Sequence, residues 1–319
     1  MIEYGIPSQP LRIAAAQAHV VAGDVTANAA TAARLVRAAG AGGAQVVVLA
    51  EKFLSGYEPE LIRADPERCA VNGLADPRLA PVVAACRESG VVAIVGAAVH
   101  DGGELYVSAL VIDGSGVRAR YDKQTLFKAE RDVYRPGSTG LTLEVGEWRL
   151  GLGVCYDSGF PEHARAAALD GCHAYVVGAL FGVGGGHHES RVWFPARAFD
   201  NTVYAVLANH IGTTGGWETC GNSAVWGPDG RIVAEAGPHD EEIVHAELSP
   251  DALRTLREAE PMLRDLREMR EMREMRGARE VGAAEDAGES GGPAGSRDPW
   301  AGPRHLVRVD LPVPHAPAG

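Results

Sequence analysis

The sequence has little of what marks disulfide-stabilised, nucleic-acid-binding or membrane-spanning proteins. Its five cysteines are irregularly spaced without a Cys-x-x-Cys pair, so they support neither a disulfide framework nor a zinc site. A formal net charge of −12 disfavours a basic surface for nucleic acid or anionic membranes. No apolar run is long enough to span a membrane, and residues 1–5 lack a basic region leading into an apolar stretch. We therefore predict a cytoplasmic protein that acts on a small molecule, with no nucleic-acid or membrane partner.

What the sequence does contain is an alternation of apolar strand patterns and helical patterns. The 319 residues, 46% of them hydrophobic, suffice for one large α/β domain or two smaller ones. Strands are predicted at residues 11–17, 45–50, 117–121, 145–154, 173–177, 203–208, 222–226 and 231–234, and helices at 25–39, 77–88, 161–170 and 189–200. Two further strands, 91–99 and 105–112, flank Asp101-Gly102-Gly103 and predict a hairpin. The sheet is therefore predicted to be mixed.

Cys155 lies where an apolar run ends and a Pro-initiated, Ala-rich helical pattern begins, within residues 151–162. A strand-to-helix turn of this kind lifts one side chain off the sheet. It also directs the following backbone N–H groups into the same space, as a nucleophile and its oxyanion donors require. The alternative interpretation is a small buried hydrophobic residue at a strand end. A catalytic role therefore needs partners elsewhere in the chain.

Three charged residues could supply those partners. Glu51 follows a predicted buried strand, at the edge where open α/β folds place ligand sites, and is a candidate base. Lys123 follows the strand at 117–121 and could place an ammonium group beside both the carboxylate and the sulfur, while Glu130 comes seven residues later. Each has a structural alternative: a solvated strand end, a surface lysine and an acid at a helix start.

Three segments in this order resemble the nitrilase superfamily of carbon–nitrogen hydrolases. They are residues 49–57, residues 121–127 and the segment around Cys155. Residues 196–201, 208–212 and 221–230 resemble later blocks of the same family, so the resemblance covers about residues 11–265. Lys52 departs from the family pattern, in which an apolar residue is more usual.

The resemblance implies a fold and a set of roles. The expected fold is an α/β four-layer αββα sandwich of two mixed sheets with helices outside, and family members commonly pair through helices as homodimers. In the implied reaction Cys155 attacks an amide carbonyl, Glu51 accepts its proton, and Lys123 with the backbone N–H of Tyr156 binds the oxyanion. Glu130 would be a supporting carboxylate that orients Lys123 or the substrate.

The substrate class is narrowed by the residues after the nucleophile. Cys-Tyr-Asp followed by Phe-Pro-Glu is more similar to the amidase-type branches than to nitrilases. We therefore expect hydrolysis of a non-peptide C–N bond in a small linear amide, through a Cys thioester, with release of ammonia or an amine. The alternatives are an N-carbamoyl amine or amino-acid amidohydrolase, then a nitrilase or a catalytically silent binding scaffold. Tyr57, Tyr156 and Phe181 are predicted pocket walls, with core packing as the alternative.

No metal or cofactor is expected. The histidine doublet His187-His188 follows Gly184-Gly185-Gly186 and predicts a flexible surface loop, which is a commoner setting for such a doublet than a metal site.

The chain is predicted to have three parts: a hydrolase domain at residues 1–265, a charged helix extension at 266–276 and a flexible C-terminal tail at 277–319. Residues 250–276 have a helical pattern, but the final Arg-Glu-Met repeat carries its methionines around the helix rather than along one side. The tail is rich in Gly, Ala, Glu and Pro. Within it, residues 306–311 alternate like a strand that could extend a sheet edge, including that of a partner subunit.

Overall fold

Two large β-sheets form the centre of the protein. The computed structural model describes residues 5–272 and 304–309. The first sheet contains β1 (Leu11–Gln17), β2 (Val46–Leu49), β3 (Val71–Asn72), β4 (Val92–Asp101), β5 (Glu104–Asp113), β6 (Gly116–Asp122) and β15 (Glu242–Leu248). The second contains β7 (Gly140–Val145), β8 (Trp148–Val154), β9 (Ala174–Gly178), β10 (Tyr204–Ala208), β13 (Ala224–Trp226), β14 (Ile232–Glu235) and β16 (Arg304–Val309). A separate hairpin pairs β11 (Thr213–Thr214) with β12 (Trp217–Glu218).

Both sheets are mixed. In the first, the order is β15-β1-β2-β4-β5-β6, with β3 beside β4; β1, β2 and β4 are parallel, and β4, β5 and β6 are antiparallel neighbours. In the second, the order is β14-β13-β10-β9-β8-β7-β16, with β8, β9 and β10 parallel. The predicted hairpin is present, because β4 and β5 pair antiparallel from Asp101↔Glu104 onward.

Helices cover the outer faces of the two sheets. The α-helices are α1 (Val25–Ala41), α2 (Pro59–Ala64), α3 (Pro66–Cys69), α4 (Ala80–Ser89), α5 (Pro161–Leu169), α6 (Gly185–Asn201) and α7 (Pro250–Ala259), and residues 262–272 are also helical. Apolar residues of α1 and α4 pack with outward-facing side chains of the first sheet, such as Val47 and Val95. Those of α5 and α6 pack with Val177 and Leu207 of the second sheet.

The central core lies between the two sheets. It contains side chains from alternate positions of both, including Ile13 and Val48 from the first and Leu150 and Val206 from the second. Because successive strand residues face opposite sides, β2 and β9 each bury one set of side chains between the sheets and the other beneath helices. The four-layer αββα sandwich is therefore confirmed.

Three details differ from the sequence prediction. Of the strand expected at 145–154, Trp148–Val154 form β8, whereas Val145 ends β7, an antiparallel neighbour; Gly146, with φ at 59°, lies in the turn between them. Strand β15 was not predicted, since its exposed positions hold charged and polar residues; it pairs antiparallel with β1. Residues 185–188 open helix α6 instead of forming a flexible loop.

The C-terminal segments also differ from expectation. The helix predicted over 250–276 breaks after α7 at Glu260-Pro261 and resumes at 262–272. In the predicted tail, Arg304–Val309 form β16 parallel to β7, with Val309 buried and Arg308 bound to Glu144. A strand near the predicted position, 306–311, thus extends a sheet edge, and that edge belongs to the chain's own second sheet. The rest of the extension and tail, residues 273–303 and 310–319, lies outside the described residues.

Within residues 5–272 and 304–309, no helix combines the length and apolar character that crossing a membrane requires.

Candidate active site

The predicted catalytic residues lie at the ends of strands from both sheets. Glu51 comes two residues after β2, Lys123 directly follows β6, and Cys155 directly follows β8. Glu130 lies in a short 3-10 helix, Lys128–Asp132. The loop after β2 packs on the second sheet, since a Cβ on Gly178 at the end of β9 would lie 3.2 Å from the Glu51 backbone nitrogen. The sheet packing thus brings together residues that are remote in sequence.

Lys123 binds both carboxylates. Its Nζ lies 2.7 Å from Oε1 of Glu51 and 2.7 Å from Oε2 of Glu130, and all three side chains are buried. The second oxygen of Glu51, Oε2, is buried without a hydrogen-bond partner among the described residues. Glu51 therefore has one oxygen fixed by an ammonium group and one available to accept a proton.

Burial and neighbouring charges shift the pKa of each of these groups. Burial, together with Glu130, raises the pKa of Glu51, although Lys123 opposes this. For Glu130 burial also raises the pKa, but the ammonium groups of Lys123 and Lys52 outweigh it and lower the pKa to about 2. Burial lowers the pKa of Lys123, but Glu51 and Glu130 outweigh burial and raise it well above its ordinary value. The set therefore holds an ionised Glu130, a charged Lys123 and a carboxylate at position 51 suited to receive a proton.

Cys155 occupies a strained backbone conformation. Its φ is 46°, in the left-handed region that residues other than Gly, Asn and Asp rarely adopt. Part of its surface remains accessible, and its Sγ lies 3.7 Å from the Leu180 carbonyl oxygen. Burial and the charge of Glu51 raise the pKa of the Cys155 thiol, while Lys123 lowers it. The resting group is therefore a thiol, and a thiol requires a base in order to act as a nucleophile.

Asp157 fixes the turn that carries Cys155, a role that the sequence prediction missed. Its carboxylate is fully buried and accepts hydrogen bonds from the Val154 N–H, the Thr125 N–H and the Tyr121 hydroxyl. These bonds connect the nucleophile turn to the loop that follows Lys123. The Cys-Tyr-Asp sequence was the available signal, but two of the three donors, Thr125 and Tyr121, lie 32 and 36 residues earlier in the chain.

His210 fixes the backbone at Glu51 and was also missed as a site residue. Its Nε2 lies 2.6 Å from the Glu51 carbonyl oxygen, and its ring stacks on Phe53. Burial lowers the pKa of His210 to about 4, so the neutral ring donates Nε2–H to that carbonyl. Residues 208–212 entered the sequence analysis only as a block of the family resemblance, and only the packing of the two sheets shows the contact.

Lys52 is buried within the same charge cluster. Its Nζ lies 3.5 Å from Oε1 of Glu130, 3.3 Å from the centroid of the Tyr57 ring and 4.8 Å from that of Tyr134. Glu130 Oε1 also accepts a hydrogen bond of 2.8 Å from the Tyr57 hydroxyl. The position where the chain departs from the family pattern is therefore a direct neighbour of Glu130.

A cavity of about 200 Å³ opens at the thiol. Its lining includes Cys155 and the three predicted wall residues, Tyr57, Tyr156 and Phe181. The remaining lining residues come mostly from residues 180–193 and 127–128, with Trp217 of β12 at one side. All three predicted wall residues thus border one cavity, although Tyr57 and Phe181 are also largely buried.

No metal-binding cluster is evident in the part of the chain that the structure describes, where no group of three or more His, Cys, Asp or Glu side chains has a suitable arrangement. The His187-His188 doublet lies in the first turn of α6, and His187 Nε2 accepts a hydrogen bond from Arg191.

Comparison with known proteins decides the family. The carbon-nitrogen hydrolase family model matches residues 12–258. The chain belongs to the carbon-nitrogen hydrolase family. This hydrolase is 31% identical over 251 residues to a nitrilase from Pyrococcus abyssi, covering 76% of this chain and 91% of the relative. It is 29% identical over 265 residues to N-carbamoylputrescine amidase from Solanum tuberosum, covering 76% and 88% of the respective chains.

Solved structures of amidases in the nitrilase superfamily have the same fold. Saccharomyces cerevisiae Nit3 superposes with a TM-score of 0.73 at 27% identity, covering 81% of this chain and 96% of Nit3. A mutant of the amidase from Nesterenkonia sp. AN1, with acrylamide added to its active-site cysteine, superposes with a TM-score of 0.69 at 29% identity. The match covers 76% of this chain and 95% of the amidase. The protein is therefore an amidase-type carbon–nitrogen hydrolase acting on bonds other than peptide bonds.

Proposed function

We propose that this hydrolase cleaves the C–N bond of a small linear amide through a thioester on Cys155. The observation that carries the proposal is the unpartnered Oε2 of Glu51, in a carboxylate whose other oxygen is bound to Lys123. A general base must keep one oxygen available for the proton that it takes. The Nesterenkonia amidase supports the choice of nucleophile, because acrylamide adds to its active-site cysteine.

In the first step the Cys155 sulfur attacks the amide carbonyl carbon while Glu51 accepts the thiol proton. The resulting oxyanion is bound by the Lys123 ammonium group and the Tyr156 N–H. Tyr156 lies in the first turn of the 3-10 helix Cys155–Gly159, where its N–H lacks an acceptor within the helix. Donors of this kind are worth about 3 to 4 kcal/mol each in comparable sites.

In the second step the C–N bond breaks and Glu51 returns the proton to the leaving nitrogen, which departs as ammonia or an amine. Water then attacks the thioester carbonyl, with Glu51 again accepting a proton. The C–S bond breaks, the carboxylic acid leaves, and Cys155 regains its proton. Glu130 orients Lys123 throughout, through its Oε2.

The cavity supports a small substrate. A volume of about 200 Å³ is below the usual range of drug-sized pockets, about 300 to 1,000 Å³. The charged side chains among its described lining residues, Lys128 and Glu189, have opposite signs. The cavity therefore does not favour substrates of one charge, and both charged and neutral amides belong in a test.

The test is an ammonia-release screen over simple aliphatic amides, amides with a carboxylate end, N-carbamoyl amines, N-carbamoyl amino acids and nitriles. Cys155→Ala is the control for contaminating activity. Turnover of linear amides that is lost in Cys155→Ala supports the proposal. Turnover confined to N-carbamoyl compounds would favour the alternative that the similarity to N-carbamoylputrescine amidase supports. No turnover in any class would instead favour a silent scaffold.

We also propose that the enzyme is a homodimer paired through its outer helices. Val192 and Phe199 of α6 are 49% and 40% exposed on the face of the second sheet that carries α5 and α6. Light scattering should give twice the monomer mass, and Val192→Glu with Phe199→Glu should give the monomer mass. A wild-type monomer would contradict this proposal.

A further inference from the structure

Lys52 is a second buried cation in the active site. Its side chain is completely buried, and its backbone has φ at 49°, outside the range usual for lysine. Lysine is rarely buried unless a carboxylate or another partner compensates for the loss of water. The position of Lys52 therefore requires an explanation beyond packing.

Burial lowers the pKa of Lys52, but its contacts are those that hold an ammonium ion, because the charges of Glu130 and Glu51 act to raise the pKa. Its Nζ faces a carboxylate oxygen of Glu130 and lies over the face of the Tyr57 ring, with Tyr134 as a second ring. Aromatic faces attract cations through their quadrupole, and the attraction increases where water is absent. The charged and titratable groups that act on this site are Glu51, Glu130, Lys123, Tyr57, Tyr134 and His210.

The two oxygens of Glu130 have different partners. Oε2 binds Lys123 and the Phe127 N–H, whereas Oε1 binds Lys52 and the Tyr57 hydroxyl. Without Lys52, the cluster would hold two carboxylates and one ammonium group. With it, the buried charges balance, and Lys123 does not have to neutralise both acids alone.

We propose that Lys52 is a positioning residue for the proposed reaction: its ammonium group binds Oε1 of Glu130 and adds a second buried positive charge near Glu51, so that both carboxylates stay ionised. Loss of this charge favours the protonated form of Glu51, because a nearby cation stabilises the carboxylate. Protonated Glu51 cannot accept the thiol proton. The predicted consequence is an acid limit of activity that depends on residue 52.

The test uses Cys155 alkylation by iodoacetamide as a function of pH, together with the pH profile of kcat/KM. Lys52→Met is nearly isosteric and removes the charge. We expect the acid limb of both profiles to move up by about one pH unit, so that alkylation on that limb becomes about tenfold slower. In a Glu130→Gln background, Lys52→Met should shift the limb less, because the two residues act as a pair.

The matched control is Arg149→Met. Arg149 is a buried cation bound to Glu144 and Asp170, near the start of β8 and thus at the opposite end of that strand from Cys155. Its loss should lower stability without moving either acid limb. The proposal would be overturned if the acid limbs of wild type and folded Lys52→Met lay at the same pH. It would also be overturned if Arg149→Met shifted them by the same amount as Lys52→Met.

Failure of the Lys52→Met variant to fold is also informative. The double variant Lys52→Met with Glu130→Gln removes one charge of each sign, so its folding would show that an uncompensated Glu130 was the cause and would support the proposal. If the double variant is unfolded as well, the role of Lys52 is packing and the proposal is wrong. The inference rests on the proposed function, yet alkylation needs no substrate. An alkylation shift without amide turnover would therefore refute only the proposed activity.

Discussion

The ammonium group of Lys123 lies 2.7 Å from the carboxylate of Glu51, a residue 72 positions earlier in the chain, and both side chains are fully buried. The two residues come from the ends of β6 and β2, which belong to the same sheet. A buried ion pair of this kind is weak evidence for a stabilising role, because desolvation offsets much of the attraction. We therefore expect its main role to be catalytic.

Replacement of Lys123 by Met tests that expectation. The variant loses an oxyanion donor and the cation that orients Glu51, so kcat/KM should fall by about a hundredfold to a thousandfold. Steady-state kinetics on the best amide gives the loss, and urea unfolding gives the accompanying change in stability. A variant that is less stable but retains normal kcat/KM would make Lys123 a structural residue.

Cys155 should react selectively with thiol reagents. The other four cysteines are buried, so a reagent reaches them only when the protein opens locally. Cys155 is partly accessible and has Glu51 as a proton acceptor, so we expect one fast alkylation event that is slowed by Glu51→Gln. Mass spectrometry of iodoacetamide-treated protein identifies the site. Five thiols with similar rates would argue against an activated nucleophile.

Gly96 should be intolerant of a side chain because the Glu51 loop packs directly on it. A Cβ at Gly96 of β4 would lie 2.0 Å from the Ala50 carbonyl oxygen. Gly96→Ala should therefore displace Glu51 and lower kcat/KM by about a hundredfold, since a shift near 1 Å has this effect on catalytic geometry.

The control for this substitution is Gly114→Ala, whose Cβ would lie 2.8 Å from the Cα of Arg87, in the turn between β5 and β6. Both variants should have a lower melting temperature, but only Gly96→Ala should lose activity. Normal kcat/KM in Gly96→Ala would show that the Glu51 loop adjusts without consequence.

His210 makes stability depend on pH in a defined window. Since burial lowers the pKa of His210 from its ordinary value of 6.5 to about 4, protonation is disfavoured in the folded state. The contribution of His210 to stability is therefore present above about pH 6.5 and is lost as the pH falls towards 4. His210→Phe removes this dependence and the hydrogen bond to the Glu51 carbonyl, while an aromatic ring remains to stack on Phe53.

The measurement is urea unfolding of wild type and His210→Phe between pH 4 and 8. At pH 8 the variant should be less stable by about 1 kcal/mol, the usual value of one hydrogen bond. The difference should decrease as the pH falls through the window. A difference that is constant with pH would mean that His210 is protonated equally well in the folded and unfolded states.

Many of the strands and helices could be predicted from the sequence because their hydrophobic periodicity and turn residues are local. Apolar periodicity predicts the strand at Leu11–Gln17. The same signal, with Asp101-Gly102-Gly103 at the turn, predicts the hairpin of β4 and β5. Strand β15 was not accessible in this way. Only its pairing with β1 buries alternate residues, and its exposed charged positions weaken the pattern in the isolated sequence.

The sequence by itself determined that an acid, a lysine and a cysteine follow strands, since residue order and the family resemblance suffice to find Glu51, Lys123 and Cys155. Only the tertiary structure decided which atoms meet. The bond from His210 to the Glu51 carbonyl, the bonds from Thr125 and Tyr121 to Asp157, and the contacts of Lys52 with Glu130 and Tyr134 all join segments distant in sequence. Burial of charge depends on partners that arrive when the two sheets pack, and no local pattern encodes them.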